Sequence, residues 1–322
     1  MLGNSKEQKP VYVINGFLDS GKTSFFAYTL GQPYFQTKGR TLLILCEEGV
    51  EEYSHRLLGS SNTALEKIDD PDEFTPAALM ALESKYDPER ILIEWNGMWD
   101  FRNFKLPKKW RLEQQMTAIN AETFAMYFTN MRSLLAEQLR TSELIMINRC
   151  DNIDEKTLMS YKRNIKAINQ RAELVFENRT GEIDMTTEED LPFDISQDPI
   201  ELKGINYGIW YIDAMEHPDR YVGKRVRFKA MAMKPDNMPE GCFVPGRMAM
   251  TCCAQDMQFL GYACRSGKEL PVKEGEWITL TARIAKEDFP GYDAAGIVLN
   301  AEETTAAEEP SDAIIDFSGQ SA

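Results

Sequence analysis

The sequence predicts two domains of different class: an α/β domain built on a parallel sheet, then a small OB-like all-β domain. Three observations carry this. First, residues 11–26, VYVINGFLDSGKTSFF, place a short apolar strand before Gly16-x-x-x-x-Gly21-Lys22-Thr23 and the start of a helix after it. That is the order a phosphate-binding loop requires. Second, unbroken apolar runs recur at RTLLILCE (40–47), RILIEWNGM (90–98) and ELIMINR (143–149), the pattern of strands buried on both faces of a parallel sheet. Third, beyond residue 200 the texture changes to short alternating strands punctuated by Gly, Pro and Asp, which predicts a barrel or sandwich.

Composition narrows the partners. With 322 residues, 43% hydrophobic and 10% aromatic, the chain can build two real cores. A net charge of −15 and a pI near 4.8 repel polyanions, so nucleic acid is not an expected partner. Nowhere do about 18 apolar residues run together, and MLGNSKEQKP at the start is polar, so a cytoplasmic protein without membrane insertion is expected. The six cysteines lack the spacing of a secreted disulfide framework and are expected as thiols.

The elements follow in order. Gly16 and Gly21 let successive N–H groups of the loop, Asp19 and Ser20 included, face one anion, and the helix beginning at Lys22 and Ser24 adds its positive end. Lys22 would reach the terminal phosphates and Thr23 would ligate Mg²⁺. Residues 24–30 continue the helix. The strand at 40–47 ends in Glu47, Glu48, Gly49, Val50, Glu51 and Glu52. Acids at that edge either help hold Mg²⁺, through Glu47 or Glu48, or form a solvated, helix-starting turn. Residues 69–86 read as a loop and an amphipathic helix with Pro76 in its first turn. The strand at 90–98 runs into Glu94-x-x-Gly97, where a carboxylate orients the Mg²⁺ shell and a glycine N–H reaches the γ-phosphate. Trp95, Trp99, Phe101, Phe104 and Trp110 follow, either as packing or as an exposed partner surface. A strand over 116–121 and one long helix over 122–139 come next.

The strand at 143–149 delivers Asn148-Arg149-Cys150-Asp151. An ionised aspartate only accepts hydrogen bonds, and guanine presents two adjacent donors where adenine presents an acceptor. Asp151 would therefore select guanine, Asn148 would fix the loop and the other base edge, and the flat guanidinium of Arg149 would cover the ring. A turn-forming strand end is the alternative.

Taken together, GFLDSGKTS, LCEEG, IEWNG, TAINAETF with Gln138 in the following helix, NRCD and AINQRAELVFENRTGEID resemble the CobW branch of the CobW/HypB/UreG GTPases over about residues 9–185. The resemblance implies a doubly wound P-loop NTPase domain. It also implies Gly16, Gly21, Lys22 and Thr23 on phosphate and Mg²⁺, Glu47 and Glu94 completing the metal shell with Gly97 at the switch, and Asn148 and Asp151 reading guanine. Slow GTP hydrolysis and work as a metallochaperone or metallocofactor-maturation factor are the implied activities, with an unidentified protein client and room for a homodimer. Lys22, Thr23 and Glu94 would carry the catalysis. The chain departs from the family pattern at Asp19, where glycine is usual, and at Arg149-Cys150 within NRCD. It also lacks the family's C-x-C-C metal motif, with no cysteine between Cys46 and Cys150, and its His-rich stretch.

Residues 184–200 read as an acidic linker, 201–301 as the OB-like domain, with strands at 204–213, 223–234, 247–255, about 260–263, 276–286 and 295–301, and 302–322 as a disordered tail. HPDRYVGKRVRF, RMAMTCCAQDM and EWITLTARI also resemble the soluble C-terminal domain of YcgQ-type permease subunits, over about 216–301. Cys252 and Cys253 are either packed thiols or, with a bulge between them, part of a site for a transition metal such as Zn²⁺. The chain is thus read as a Mg²⁺-dependent GTP-binding protein. The alternatives are a nucleotide-sensing assembly module with little turnover, linked to a transport or permease system, and an ATP-dependent kinase-like enzyme, which Asn148 and Asp151 disfavour.

Overall fold

The computed structural model describes residues 8–47, 49, 51–183, 191–236, 238–250, 257–267 and 273–317. The chain divides into two compact units, Met1–Thr187 and Glu188–Ala322. The first runs β1 (Lys9–Asn15), α1 (Lys22–Leu30), β2 (Arg40–Leu45), α2 (His55–Ser60), β3 (Thr63–Lys67), α3 (Pro76–Tyr86), β4 (Pro88–Glu94), β5 (Trp110–Asn120), α4 (Ala121–Asn130), α5 (Arg132–Arg140), β6 (Leu144–Asn148), α6 (Glu155–Ile168), β7 (Glu173–Asn178) and β8 (Gly181–Ile183). Its sheet has the order β3-β2-β4-β1-β5-β6-β7-β8. Every pairing is parallel except the β7–β8 hairpin.

Alternation along the strands divides the core between the two faces. Val11, Val13, Leu42, Ile44, Ile91 and Ile93 pack with Leu79 of α3 on one side. Ile14, Leu43 and Leu92 pack with Phe26 and Leu30 of α1 on the other. This is the doubly wound arrangement, with β1 between β4 and β5 at its centre. Because the strands are parallel, the segments leaving β1, β2, β4 and β6 emerge along one edge, where ligands bind in such sheets.

The aromatic cluster is packing. Trp95 is 1% exposed, with Phe74, Trp99, Phe101 and Phe104 ringed about it at centroid distances of 4.9–6.0 Å. The helix expected over 122–139 is two helices, because Met131 leaves the helical region at φ −130°, ψ 34°. That break lets α5 bury Leu135, Ala136, Gln138 and Leu139 on its own line of approach.

The second unit runs β9 (Ile200–Leu202), α7 (Ile205–Glu216), β10 (Arg225–Met233), β11 (Cys242–Met250), β12 (Met257–Gly261), β13 (Ala263–Arg265), β14 (Trp277–Glu287), β15 (Gly296–Ala306) and β16 (Ile315–Asp316). Strands β11, β13, β15, β14 and β10 pair in succession, and β10 pairs back to β11, closing a five-stranded barrel. The strand expected over 204–213 is instead helix α7. Its buried Tyr207, Trp210, Tyr211 and Ala214 recur at helical spacing, and Tyr207 and Trp210 lie 5.0 and 5.5 Å from the Phe228 ring of β10.

The expected disordered tail is corrected over its described part. Strand β15 continues through Ala306, and Ile315 pairs with Ala249 of β11. Ile315 and Phe317 press on Gly208, where a Cβ would lie 2.6 Å from each, so only glycine fits under them. Two apolar side chains thus hold a segment whose Ala, Glu and Ser composition argues for disorder. Cys252 and Cys253 lie outside the described residues, as do residues 184–190 of the expected linker. No helix among the described residues is long and apolar enough to cross a membrane.

Ile315→Ala is expected to destabilise the second unit by about 2–4 kcal/mol, the cost of truncating a buried aliphatic side chain. Denaturant unfolding monitored by far-UV circular dichroism checks this, since a tail that packed on nothing would tolerate the change without loss.

Candidate nucleotide site

The loop between β1 and α1 is shaped by three left-handed residues, Gly16 (φ 139°), Asp19 (φ 57°) and Gly21 (φ 94°). At Gly16 a Cβ would meet the Ala118 carbonyl oxygen at 2.3 Å, and at Gly21 it would meet Asn148 Nδ2 at 2.5 Å. Asp19, where the resemblance expects glycine, keeps the same kind of backbone because aspartate tolerates this region better than most residues. Its side chain is exposed, at the rim of the loop's pocket.

Lys22 is 3% exposed and has three acceptors: Gly16 O at 2.7 Å, Phe17 O at 2.9 Å and Glu47 Oε2 at 2.6 Å. Thr23 Oγ1 donates to Glu94 Oε1 at 2.7 Å, and the Tyr53 hydroxyl donates to Glu94 Oε2 at 2.7 Å. Ser24 donates to Glu51. Gly97 sits against the loop so tightly that a Cβ would lie 2.2 Å from Gly16 O, and its own carbonyl accepts from Gln138 Nε2 at 2.7 Å. Burial pushes the Glu94 carboxyl above the ordinary range, although its hydrogen bonds from Tyr53 and Thr23 and the Lys22 charge pull the other way. Burial also raises Cys46 and Tyr53, with Glu94 adding to both.

These groups enclose a pocket of about 270 Å³, lined by the loop from Leu18 to Thr23 and by Glu47, Glu51, Glu94 and Arg149. Among the described residues, four carboxylates, Asp19, Glu47, Glu51 and Glu94, face two cations there, Lys22 and Arg149. Such a balance admits a phosphate chain far better with a divalent cation than without one. Buried side-chain oxygens in this region, Ser20 Oγ, Asn148 Oδ1 and Gln138 Oε1, have no hydrogen-bond partner among the described residues.

A second, open cavity of about 890 Å³ adjoins the first and shares Gly21, Glu51 and Arg149 with it. Asn148, Arg149 and Asp151 line it with Glu122 and residues 177–181 of the β7–β8 turn. Asn148 Nδ2 donates to Ser20 O at 2.6 Å, which joins the NRCD segment to the phosphate loop. Asp151 is exposed, and its Oδ1 accepts from the Arg179 N–H at 3.1 Å, so the β7–β8 turn holds that carboxylate at the cavity. Arg149 takes φ 57° at the turn after β6. The volume is that of a small-molecule site.

Comparison with known proteins agrees with this geometry. Residues 70–176 match the nucleotide-binding domain model of CobW/HypB/UreG. That matched stretch lies within the first unit. The stretch matched to the CobW-type domain holds Glu94, Gly97, Asn148 and Asp151, while the phosphate loop precedes it and is tied to it by β1 pairing with β4 and β5. Residues 178–315 match the DUF1980 C-terminal domain, which covers the barrel. None of the curated proteins compared with the chain matches it. Among solved structures, the chain is similar to the hydrogenase maturation factor HypB of Archaeoglobus fulgidus, at 18% identity over 55% of this chain and 85% of that one, TM-score 0.40. It is also similar to the Zn(II)-bound YjiA GTPase of E. coli, at 16% identity over 80% of this chain and 88% of that one, TM-score 0.41.

The fold brings the expected nucleotide residues that the structure describes to one sheet edge, while Glu48, the alternative Mg²⁺ ligand, lies outside the described residues. Asp19, Ser20, Gly21, Lys22, Thr23, Glu47 and Glu94 line the smaller pocket, Gly16 and Gly97 pack against each other beside it, and Ser24, Asn148, Arg149 and Asp151 line the larger. Sequence reasoning missed Tyr53, the pairing of Glu51 with Ser24, and the part the Arg179 turn plays behind Asp151. A lone tyrosine after an acidic turn carries no motif, and the other two are contacts between segments far apart in the chain.

Glu94→Gln is expected to raise the melting temperature at pH 8. A carboxyl held above its ordinary value binds its proton more tightly in the folded state, so the wild type loses stability as pH rises from the ordinary glutamate range, about 4.3, through the raised value. The advantage of Glu94→Gln should shrink toward pH 4, which thermal unfolding at both pH values checks.

Proposed function

We propose that this protein binds GTP with Mg²⁺, hydrolyses it slowly, and acts in the cytoplasm as a metallochaperone-type or metallocofactor-maturation accessory factor. The observation that carries the reading is the bond from Asn148 to the Ser20 carbonyl, which makes the guanine-type NRCD segment and the phosphate loop one continuous site. The CobW/HypB/UreG domain match supports it.

In this reading the loop N–H groups and the N-terminus of α1 bind the phosphates, and Asp151 accepts the two guanine donors with Asn148 and Arg149 framing the base. The residues present fit Mg²⁺. Carboxylate and hydroxyl oxygens are the ligands it prefers, and Thr23, Glu47 and Glu94 would hold it. When bound, the ion neutralises charge on the β- and γ-phosphates. Lys22 would exchange Glu47 for phosphate oxygens, and Gly97 would offer its N–H to the γ-phosphate, where water attacks in line. Slow turnover is the activity that the resemblance to CobW-type GTPases implies, and Glu94, with Thr23 and Tyr53 donating to its two oxygens, is held in place rather than free to swing toward a water. The cargo would be a transition metal such as Zn²⁺, passed to a protein client.

A second reading, a nucleotide-sensing module with little turnover linked to a transport or permease system, is favoured by Asp19 at the pocket rim and by the DUF1980 match. Phosphate release in steady state with Mg²⁺, compared between the wild type and Lys22→Ala, separates the two.

Competition binding with a fluorescent guanine nucleotide tests the shared core of both readings. GTP and GDP should displace the probe and ATP should not, with Asp151→Ala losing at least about tenfold of that preference, since an unmatched buried polar pair costs ~1–3 kcal/mol. Equal displacement by ATP would overturn the guanine assignment. Asp19→Gly should tighten GTP binding about two- to fivefold, the worth of an exposed charge interaction of ~0.5–1 kcal/mol.

A further inference from the structure

The mechanism leaves Tyr53 without a role, yet among the described residues it joins Thr23 in donating a side-chain hydrogen bond to Glu94. Its ring is 8% exposed and packs into the core face with Ile14, Phe26, Leu43 and Leu92. A phenylalanine would fill that space equally well. The hydroxyl passes out of this apolar surround to Glu94 Oε2 at 2.7 Å, on the oxygen opposite the one that Thr23 Oγ1 reaches at 2.7 Å. Glu94 is itself 3% exposed and stands at the end of β4, where its backbone carbonyl accepts from Cys46 N at 2.9 Å. The backbone and both carboxylate oxygens are therefore fixed, by β2, by α1 and by Tyr53.

We infer that Tyr53 is a positioning residue that sets the Glu94 carboxylate in the orientation needed to hold the divalent cation beside Thr23. This rests on the proposed Mg²⁺–nucleotide reading and deepens it. A carboxylate tied through one oxygen can turn about its last side-chain bond, whereas one tied through both presents its remaining lone pairs in a fixed direction. Among the described residues Tyr53 lines neither the loop's pocket nor the base cavity, and its hydroxyl donates to Glu94, so its effect should run through the cation. The same bond attaches the segment after β2 to the end of β4, so that segment is also held in place by way of Glu94.

The test is Tyr53→Phe, with GTP affinity measured by titration calorimetry in EDTA and in excess Mg²⁺, beside the wild type and Lys22→Ala. The expected result is GTP affinity in EDTA unchanged within about twofold, with the enhancement by Mg²⁺ reduced about tenfold, the usual effect of losing one hydrogen bond to a charged group. Mn²⁺ in place of Mg²⁺, followed by its paramagnetic resonance spectrum with GTP bound, should show an altered signal in Tyr53→Phe. An unchanged Mg²⁺ enhancement would overturn the proposal, as would an equal fall in both affinities, which is the signature of a packing role. If the wild type gains nothing from Mg²⁺, or if Lys22→Ala binds GTP as well as the wild type, the underlying reading fails and the proposal falls with it. Thermal unfolding of Tyr53→Phe within a few degrees of the wild type keeps these outcomes interpretable.

Discussion

The Lys22 ammonium organises the first unit. Buried beneath the loop, it ties together the carbonyls of Gly16 and Phe17 and the carboxylate of Glu47. A buried cation without partners is costly, and here the loop curls so that its own carbonyls supply them. That curl comes with positive φ at Gly16, Asp19 and Gly21, and within it the Ser20 N–H donates to the Phe17 carbonyl at 3.2 Å. The same lysine holds the Glu47 carboxylate at the loop, so the charge of the pocket depends on where Glu47 stands.

Around this point the contacts are close enough to couple the segments mechanically. Gly97 and Gly21 are each in space that no side chain can share, one against the backbone of Gly16 and the other against Asn148. Gln138 links Gly97 to α5, and its own carbonyl accepts from Asn15, Gln115, Thr117 and Ser142. A displacement of Gly97 would therefore reach β1, β5 and α5 through direct contacts, because such well-packed groups have little freedom to yield independently.

The barrel presents a different balance. Its core is aromatic, with α7 laid against β10 through Tyr207 and Trp210, and Asp213 of the helix is held by Arg220 at 2.8 Å and by Tyr221. This buried acid is satisfied on both oxygens and serves the packing of α7. Arg247 is likewise buried, with Asp312 at 3.1 Å bringing the segment after β15 back onto the barrel.

Much of the first unit is legible in the chain because its signals are local: an apolar strand, a glycine loop, a helix, and acids or Asn-Asp at the ends of later strands. The sequence alone determines that a phosphate loop exists, that parallel strands deliver Glu94 and Asp151, and that a barrel follows. It does not determine α7, since a run of aromatics and isoleucine fits either period until a partner surface selects one. Nor does it determine the order of residues 307–317, which two buried apolar side chains decide against their composition. Tyr53 on Glu94, Glu51 on Ser24, and the Arg179 turn behind Asp151 belong only to the tertiary structure. Each joins segments distant in the chain, and a hydrogen bond between them leaves no periodicity or spacing by which it could be read in advance.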